Sequence, residues 1–187
     1  MDYRELIRPR MSEYRFVHSC AVAERAKHLA LRWKANPEKA FIAGMVHDIC
    51  KDISKEEQLK CITENGIIPD DVLLSNPSLW HSLAGSLFLP SVGIDDPEIL
   101  SAVRYHTSAR ADMTLLEEII YMADLTSADR VYKDVDYVRQ LCERSLHAAT
   151  FYALRYIVGD LAHQNRPISK DTWEAYNFYL QITKDQK

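Results

Sequence analysis

Two residues able to bind a metal ion, His47 and Asp48, stand side by side at the end of the apolar run 43–46. Neighbouring side chains on a helix diverge by about 100°, so both cannot point into an ordinary core. Burying an unpaired imidazole and a carboxylate would cost several kcal/mol unless a cation or hydrogen bonds compensate. Lys51 adds a positive charge on the same side as both residues. The dipeptide therefore indicates a polar or metal-binding site.

Four of the seven histidines, together with two aspartates, are spread over five predicted helices: His18, His47, Asp48, His81, His106 and Asp124. Helical bundles form metal sites from such residues when facing helices project them inward. We expect a two-metal centre in which Asp48 bridges the ions, with His18, His47 and Asp124 on one and His81 and His106 on the other. Imidazole and carboxylate ligands without thiolate suit iron, manganese, cobalt or zinc.

Apolar residues recur at helical spacing along most of the chain, which predicts an all-α fold. Capping residues and prolines indicate where the helices begin and end. They predict helices at 12–33, from 36–37 to 47–48, at 54–65, after 76–77, at 97–105, at 115–125, at 135–163 with a break near 147, and at 169–183. Gly44 and Gly85 lie inside two of these helices, where glycine costs about 1 kcal/mol relative to alanine. They indicate close approach of a ligand or of another backbone.

Composition limits the class of protein. The chain has 187 residues, of which 47% are hydrophobic, and we expect one domain over 1–187. The net charge of −4 disfavours nucleic acid as the main partner. We see no apolar stretch long enough to span a membrane and no signal-peptide segment. Four scattered cysteines favour a reducing, cytoplasmic location.

The order and context of these residues resemble the HD-domain metal-dependent phosphohydrolases in their two-metal form. More specifically, they resemble the YqeK group of symmetrical diadenosine tetraphosphatases. The motifs behind this resemblance are Arg15-x-x-His18-Ser19, His47-Asp48-Ile49-x-Lys51-Asp52, Trp80-His81-Ser82-x-Ala84-Gly85, Tyr105-His106-Thr107-x-x-Arg110, Ala123-Asp124-x-x-Ser127-x-Asp129-Arg130 and Pro167-Ile168 to Asp171-Thr172-x-x-Ala175-x-Asn177.

The resemblance implies a single HD-domain helical bundle with a two-metal site, expected to be iron, at its centre. It implies cleavage of diadenosine tetraphosphate into two ADP, with a metal-activated hydroxide attacking an inner phosphorus. For catalysis we expect Asp48, Lys51, Asp129 and Arg130. For substrate binding we expect Arg15, Ser19, Lys51, Thr107, Arg110 and Arg130, because a polyphosphate needs cations and hydroxyl donors near the metals. A homodimer is compatible with these expectations.

Two alternative functions remain at this point. The same ligand set would suit a nucleotidase or phosphodiesterase that acts on another nucleotide, since metal ligands fix the reaction and not the base. A nucleotide-binding protein with slow turnover could also keep the site, although the complete ligand set and the net acidity count against this alternative.

Overall fold

The computed structural model describes residues 2–184 and contains eleven α-helices and no β-strand within that range. This confirms the predicted all-α class. The helices are α1 (Tyr3–Ile7), α2 (Glu13–Trp33), α3 (Pro37–Val46), α4 (Lys55–Glu64), α5 (Asp71–Ser75), α6 (Trp80–Phe88), α7 (Pro97–Tyr105), α8 (Leu115–Thr126), α9 (Val135–Arg144), α10 (Leu146–His163) and α11 (Lys170–Lys184).

The capping residues found in the sequence start the helices as predicted. The Ser12 side chain accepts from the Arg15 amide at the start of α2, and Asn36 accepts from two amides of α3. Capping boxes form at Ser54 before α4 and at Thr114 before α8. Each such cap satisfies amides that have no partner within the helix and contributes about 1 kcal/mol.

Three boundaries differ from the prediction. Asn76 does not cap a helix through its side chain; it accepts from the Ser78 hydroxyl, and a 3₁₀ turn at Pro77–Leu79 leads into α6. The break between α9 and α10 falls at Ser145, which caps α10. The five-residue helices α1 and α5 were not predicted, because so short a segment shows little periodicity.

The centre of the molecule is formed where α2 crosses α3, with α7 and α8 packed against them. A Cβ atom built on Gly44 of α3 would lie 2.8 Å from the Ala23 Cα of α2 and 3.1 Å from the Val22 carbonyl oxygen. Gly44 therefore allows a close helix crossing. At Gly85 the nearest atom would be Val103 Cγ1, at an ordinary 3.4 Å. Helices α10 and α11 pack on each other, and α10 also packs against α8.

The chain segment that the structure describes includes no helix that is both long and apolar enough to cross a membrane.

We expect Gly44→Ala to lower the stability of the fold by about 1–3 kcal/mol, because the new methyl group would push α2 and α3 apart. This corresponds to a melting temperature lower by several degrees, about 2–4 °C per kcal/mol. Gly159→Ala in α10 is the matched control: its Cβ would meet no atom within 4 Å, and removing a helical glycine should stabilise by about 0.5–1 kcal/mol. Thermal unfolding measures both, and equal shifts would contradict the close crossing.

Candidate metal centre

Four imidazole rings from four helices converge around Asp48. His18 lies in α2, His47 directly after α3, His81 in α6 and His106 directly after α7. Successive ring centroids are 5.3 Å (His18 to His47), 4.9 Å (His47 to His106) and 5.1 Å (His106 to His81) apart. All four side chains and Asp48 are buried. The structure thus brings together residues that are far apart in sequence.

Three of the rings are oriented so that Nε2 faces the centre. At the last turns of α3 and α7, His47 Nδ1 and His106 Nδ1 each donate to a backbone carbonyl three residues earlier, those of Gly44 and Val103, at 2.7 Å. Such carbonyls have no partner within the helix. His18 Nδ1 instead donates to Asp129 Oδ2 at 2.7 Å. Metal-binding histidines are typically held in this way, with the second nitrogen left as the ligand.

The nitrogen and oxygen atoms that face the centre form two groups within reach of a cation. One group consists of His18, His47 and Asp124, and the other of His47, Asp48 and His106; within each, the ligand atoms lie within 4.8 Å of one another. His81 Nε2 lies 3.2 Å from Asp48 Oδ1 and 3.1 Å from His106 Nε2. All six predicted ligands are therefore in one cluster, and their assignment as ligands stays a prediction.

Two buried atoms in this cluster, His47 Nε2 and Asp48 Oδ1, have no hydrogen-bond partner among residues 2–184. Leaving such atoms unpaired costs about 1–3 kcal/mol each, or more where the group is charged. A divalent cation would satisfy both, and the imidazole–carboxylate donor set suits iron, manganese, cobalt or zinc. The residues therefore fit the metal pair that the sequence predicts.

The electrostatics also favour positive charge at the centre. Burial opposes ionisation of Asp48, but His47, His106 and His81 outweigh it and hold the pKa of that carboxyl well below its usual range. Burial likewise disfavours the charged form of His47, yet the Asp48 carboxylate raises its pKa overall. Burial lowers the pKa of His81 to about 4, so this imidazole is neutral at pH 7 and has a lone pair to donate.

Three cationic side chains surround the cluster. Arg15 Nη1 donates to Asp48 Oδ2 at 2.7 Å, and Lys51 Nζ lies 3.1 Å from His81 Nε2. Arg130 Nε donates to the Asp124 carbonyl oxygen at 2.8 Å, and its guanidinium also pairs with the Asp124 carboxylate. These contacts place Arg15, Lys51 and Arg130 at the edge of the centre. The sequence predicts phosphate-binding groups at this position.

The other predicted substrate-binding residues behave differently from one another. Thr107 Oγ1 lies 3.2 Å from His81 Nε2, so it is part of the centre. Arg110 pairs instead with the buried Glu117 carboxylate at 2.8 Å. Ser19 is fully buried beside the Met11 sulfur and has no exposed surface for a substrate. We therefore leave Ser19 and Arg110 out of the proposed substrate site.

Asp52 is a residue whose role the sequence analysis did not identify. Its carboxylate accepts from the Ser12 amide at 2.8 Å and from the Ser12 hydroxyl at 2.7 Å, and it lies 3.6 Å from Arg15 Nε. Asp52 thus fixes the start of α2 against the segment that follows Asp48. The position of Asp52, four residues after Asp48, could have indicated a role near the centre. Its partners are seen only in the tertiary structure.

The family model described as HD domain matches residues 15–129. The chain belongs to the HD-domain family. The matched segment begins at Arg15 and ends at Asp129, so it spans all six clustered residues.

Relatives of this HD domain are similar over nearly their whole length. The "Bis(5'-nucleosyl)-tetraphosphatase, symmetrical" of Bacillus subtilis (strain 168) is 38% identical over 93% of this chain and 94% of the relative. The protein of the same name from Halalkalibacterium halodurans is 34% identical over 98% and 96%. A crystal structure from Clostridium acetobutylicum, described as a "predicted HD superfamily hydrolase involved in NAD metabolism", superposes with a TM-score of 0.93 at 32% identity and covers 96% of each chain.

We expect Asp48→Ala to abolish high-affinity metal binding, because it removes the carboxylate of the second donor group, which also lies 3.2 Å from His81 Nε2. Two measurements test this after the protein is loaded with Fe²⁺ or Mn²⁺. Mass spectrometry gives the metal content, and thermal unfolding gives the shift in melting temperature that the metal causes. The wild type should gain stability on loading and the variant should not. A variant that retained wild-type metal content would contradict the assignment of Asp48.

We expect Asp129→Asn to weaken metal binding by about 10–100-fold, the usual effect of removing the partner that orients a metal-binding histidine. Asp136→Asn, at an exposed position in α9, is the control. Competition with a chelator measures the affinities. Equal affinity in the two variants would show that the contact between Asp129 and His18 does not support the site.

Proposed function

We propose that this HD domain is a symmetrical bis(5'-nucleosyl)-tetraphosphatase that hydrolyses diadenosine tetraphosphate to two ADP. The observation that supports it most is the convergence of six histidine and aspartate side chains on one buried centre. The relatives named for this activity match over nearly the whole chain. In this proposal His18, His47, Asp48, His81, His106 and Asp124 hold two divalent ions. The ions are iron, with manganese, cobalt or zinc as alternatives.

The bound ions supply Lewis acidity, which polarises phosphoryl oxygens and lowers the pKa of a nearby water. The side chains of the chain itself position the substrate. Arg15 and Arg130 offer guanidinium groups, which pair with two phosphate oxygens at once, whereas Lys51 acts as a point charge. Burial lowers the pKa of Lys51, which weakens its hold on a proton. Asp129 keeps His18 in the orientation that presents Nε2.

The charge balance suits a polyphosphate. Asp48, Asp124, Asp129 and Asp52 lie among or beside the cluster, and Arg15, Lys51 and Arg130 offset all but one of their charges. Two divalent ions would make the centre positive overall. A strongly anionic substrate is then attracted to a site that excludes much of the solvent, where charge interactions are strong.

The remaining parts of the proposal concern organisation and location. All six candidate ligands come from one chain, so the proposed activity needs a single HD domain; a homodimer is compatible with it and is not required for it. The four cysteines are free, which supports the proposed cytoplasmic, reducing location.

Product analysis tests the function. Purified protein with Fe²⁺, Mn²⁺ or Co²⁺ should convert diadenosine tetraphosphate to ADP as the sole product, and a chelator should stop the reaction. AMP with ATP would mean attack at a different phosphorus, which contradicts symmetrical cleavage. Faster turnover of a mononucleotide or a cyclic dinucleotide would instead favour another HD-domain nucleotidase or phosphodiesterase. Binding without turnover would favour the slow nucleotide-binding protein.

We expect Arg130→Ala to lower kcat/KM for diadenosine tetraphosphate about 10–100-fold, because one hydrogen-bonded charge pair is worth about 1.5–3 kcal/mol. Metal content should stay unchanged, since all six candidate ligands remain. Arg144→Ala, at an exposed residue ending α9, is the control and should keep wild-type kinetics. Unchanged kinetics in Arg130→Ala would remove this residue from the substrate site.

A further inference from the structure

A cleft of about 260 Å³ opens directly beside the metal centre, between α8, α10 and the turn that precedes α6. The metal-centre residues His106 and Asp124 form part of its wall, so a molecule held in the cleft lies next to the reacting phosphates. The rest of the wall includes Leu79, Leu125, Ile157 and Leu161, with Asn76 and Arg166. We call it the α10 cleft. Mostly apolar walls with a few fixed polar groups are typical of sites for small molecules.

Asn76 is a fixed polar group in the wall of the α10 cleft, which also includes Ser78, Thr107, Ser169 and Thr172. Only 6% of this residue is exposed. Its Oδ1 accepts from the Ser78 hydroxyl, and its backbone amide donates to the Leu73 carbonyl oxygen, so both backbone and side chain are held. Within residues 2–184 its side-chain nitrogen has no hydrogen-bond acceptor, and Oδ1 has a second lone pair. Asn76 thus offers the cleft one donor and one acceptor side by side.

Arg166 is the cationic group of the α10 cleft. It follows Asn165, whose positive φ of 53° ends α10, and its amide donates to the Leu161 carbonyl oxygen at 2.9 Å. This helix ending satisfies two carbonyls of the last turn and fixes where the next residues start. The guanidinium is exposed and has no ion-pair partner among the described residues. It is therefore free to contact an anionic ligand.

We propose that the α10 cleft binds one adenosine of the substrate. The adenine ring packs against the apolar wall, the N6 and N7 edge of the ring contacts Asn76, and the phosphate attached to the ribose faces Arg166. This inference rests on the proposed function, because it assigns the cleft to a nucleoside attached to the phosphates at the metal centre. A side-chain amide pairs with adenine through the acceptor N7 and the donor N6. Guanine presents two acceptors, N7 and O6, at the same edge. Its O6 would lie opposite Asn76 Oδ1, and two acceptors cannot form a hydrogen bond with each other. Asn76 thus selects adenine.

The first test compares kcat/KM for diadenosine and diguanosine tetraphosphate in the wild type and in Asn76→Ala. The backbone bond to the Leu73 carbonyl is kept, but the side-chain acceptor that pairs with adenine N6 and opposes guanine O6 is lost. We expect the adenine-to-guanine ratio to fall about tenfold, equivalent to about 1.4 kcal/mol of discrimination. Asn65→Ala, at the exposed end of α4, is the matched control. An unchanged ratio in folded Asn76→Ala overturns the proposal.

Two further variants separate the base from the phosphate and do not depend on the folding of Asn76→Ala. Arg166→Gln should raise KM for both dinucleotides by the same factor, because a phosphate contact does not read the base. Leu161→Trp should fill the α10 cleft and raise KM for diadenosine tetraphosphate at least tenfold with unchanged metal content. Wild-type KM in folded Leu161→Trp would also overturn the proposal.

Failure of the proposed function remains distinguishable from failure of this inference. If the wild type hydrolyses neither dinucleotide with any of the three metals, the function is wrong. Calorimetry with ADP and GDP on the metal-loaded protein then tests the α10 cleft alone. A preference for ADP over GDP that is lost in Asn76→Ala supports the cleft as an adenosine site, and equal binding of ADP and GDP by the wild type overturns it.

Discussion

The structure depends on the burial of Asp48, a carboxylate that faces three imidazoles, those of His47, His81 and His106, where several helices meet. A charge in this position would be very costly without compensation. Arg15 supplies a direct ion pair at 2.7 Å, and the imidazoles hold the pKa of the carboxyl well below its usual range. Within residues 2–184, Asp48 Oδ1 and the neighbouring His47 Nε2 have no hydrogen-bond partner, so the compensation by these protein groups is incomplete. A cation at this place would complete it.

Helix ends, more than helix faces, build this centre. His47 and His106 follow the last turns of α3 and α7, and each uses a terminal carbonyl that would otherwise need water. Because the same bond fixes the ring orientation, the place where each helix stops determines the direction of Nε2. Gly44 contributes both to the orientation of a ring and to helix packing. Its carbonyl orients His47, and the absence of a side chain lets α2, which carries His18, lie close to α3. Packing and ligand geometry are therefore set by the same residue.

Much of this organisation can be predicted from the sequence, because capping residues and metal-binding residue types act locally. Ser12, Ser54 and Thr114 cap helices where the sequence places them. What the sequence could not provide are the tertiary partners. Arg110 looks like a phosphate ligand by spacing, but the buried Glu117 takes its charge. Asn76 looks like a cap before proline, but its side chain stays within the turn and faces a cleft formed by α10, a helix that begins seventy residues later.

The exposure of the centre shows the side from which a substrate can approach. The His18, His47 and His81 side chains are at most 1% exposed, whereas Asp124 is 17% and Arg130 33% exposed. The candidate ligands on α2, α3 and α6 are therefore buried, and solvent reaches the centre at its edge, at Arg15 (19% exposed), Asp124 and Arg130. The α10 cleft borders the same Asp124. In the proposed substrate site, a polyphosphate bound beside Asp124 also contacts Arg130, and one nucleoside lies in the α10 cleft. Because α10 and α11 form the outer wall of that cleft, we infer two separate tasks within the fold: the inner helices hold the reacting phosphates, and the outer pair limits which nucleoside can accompany them.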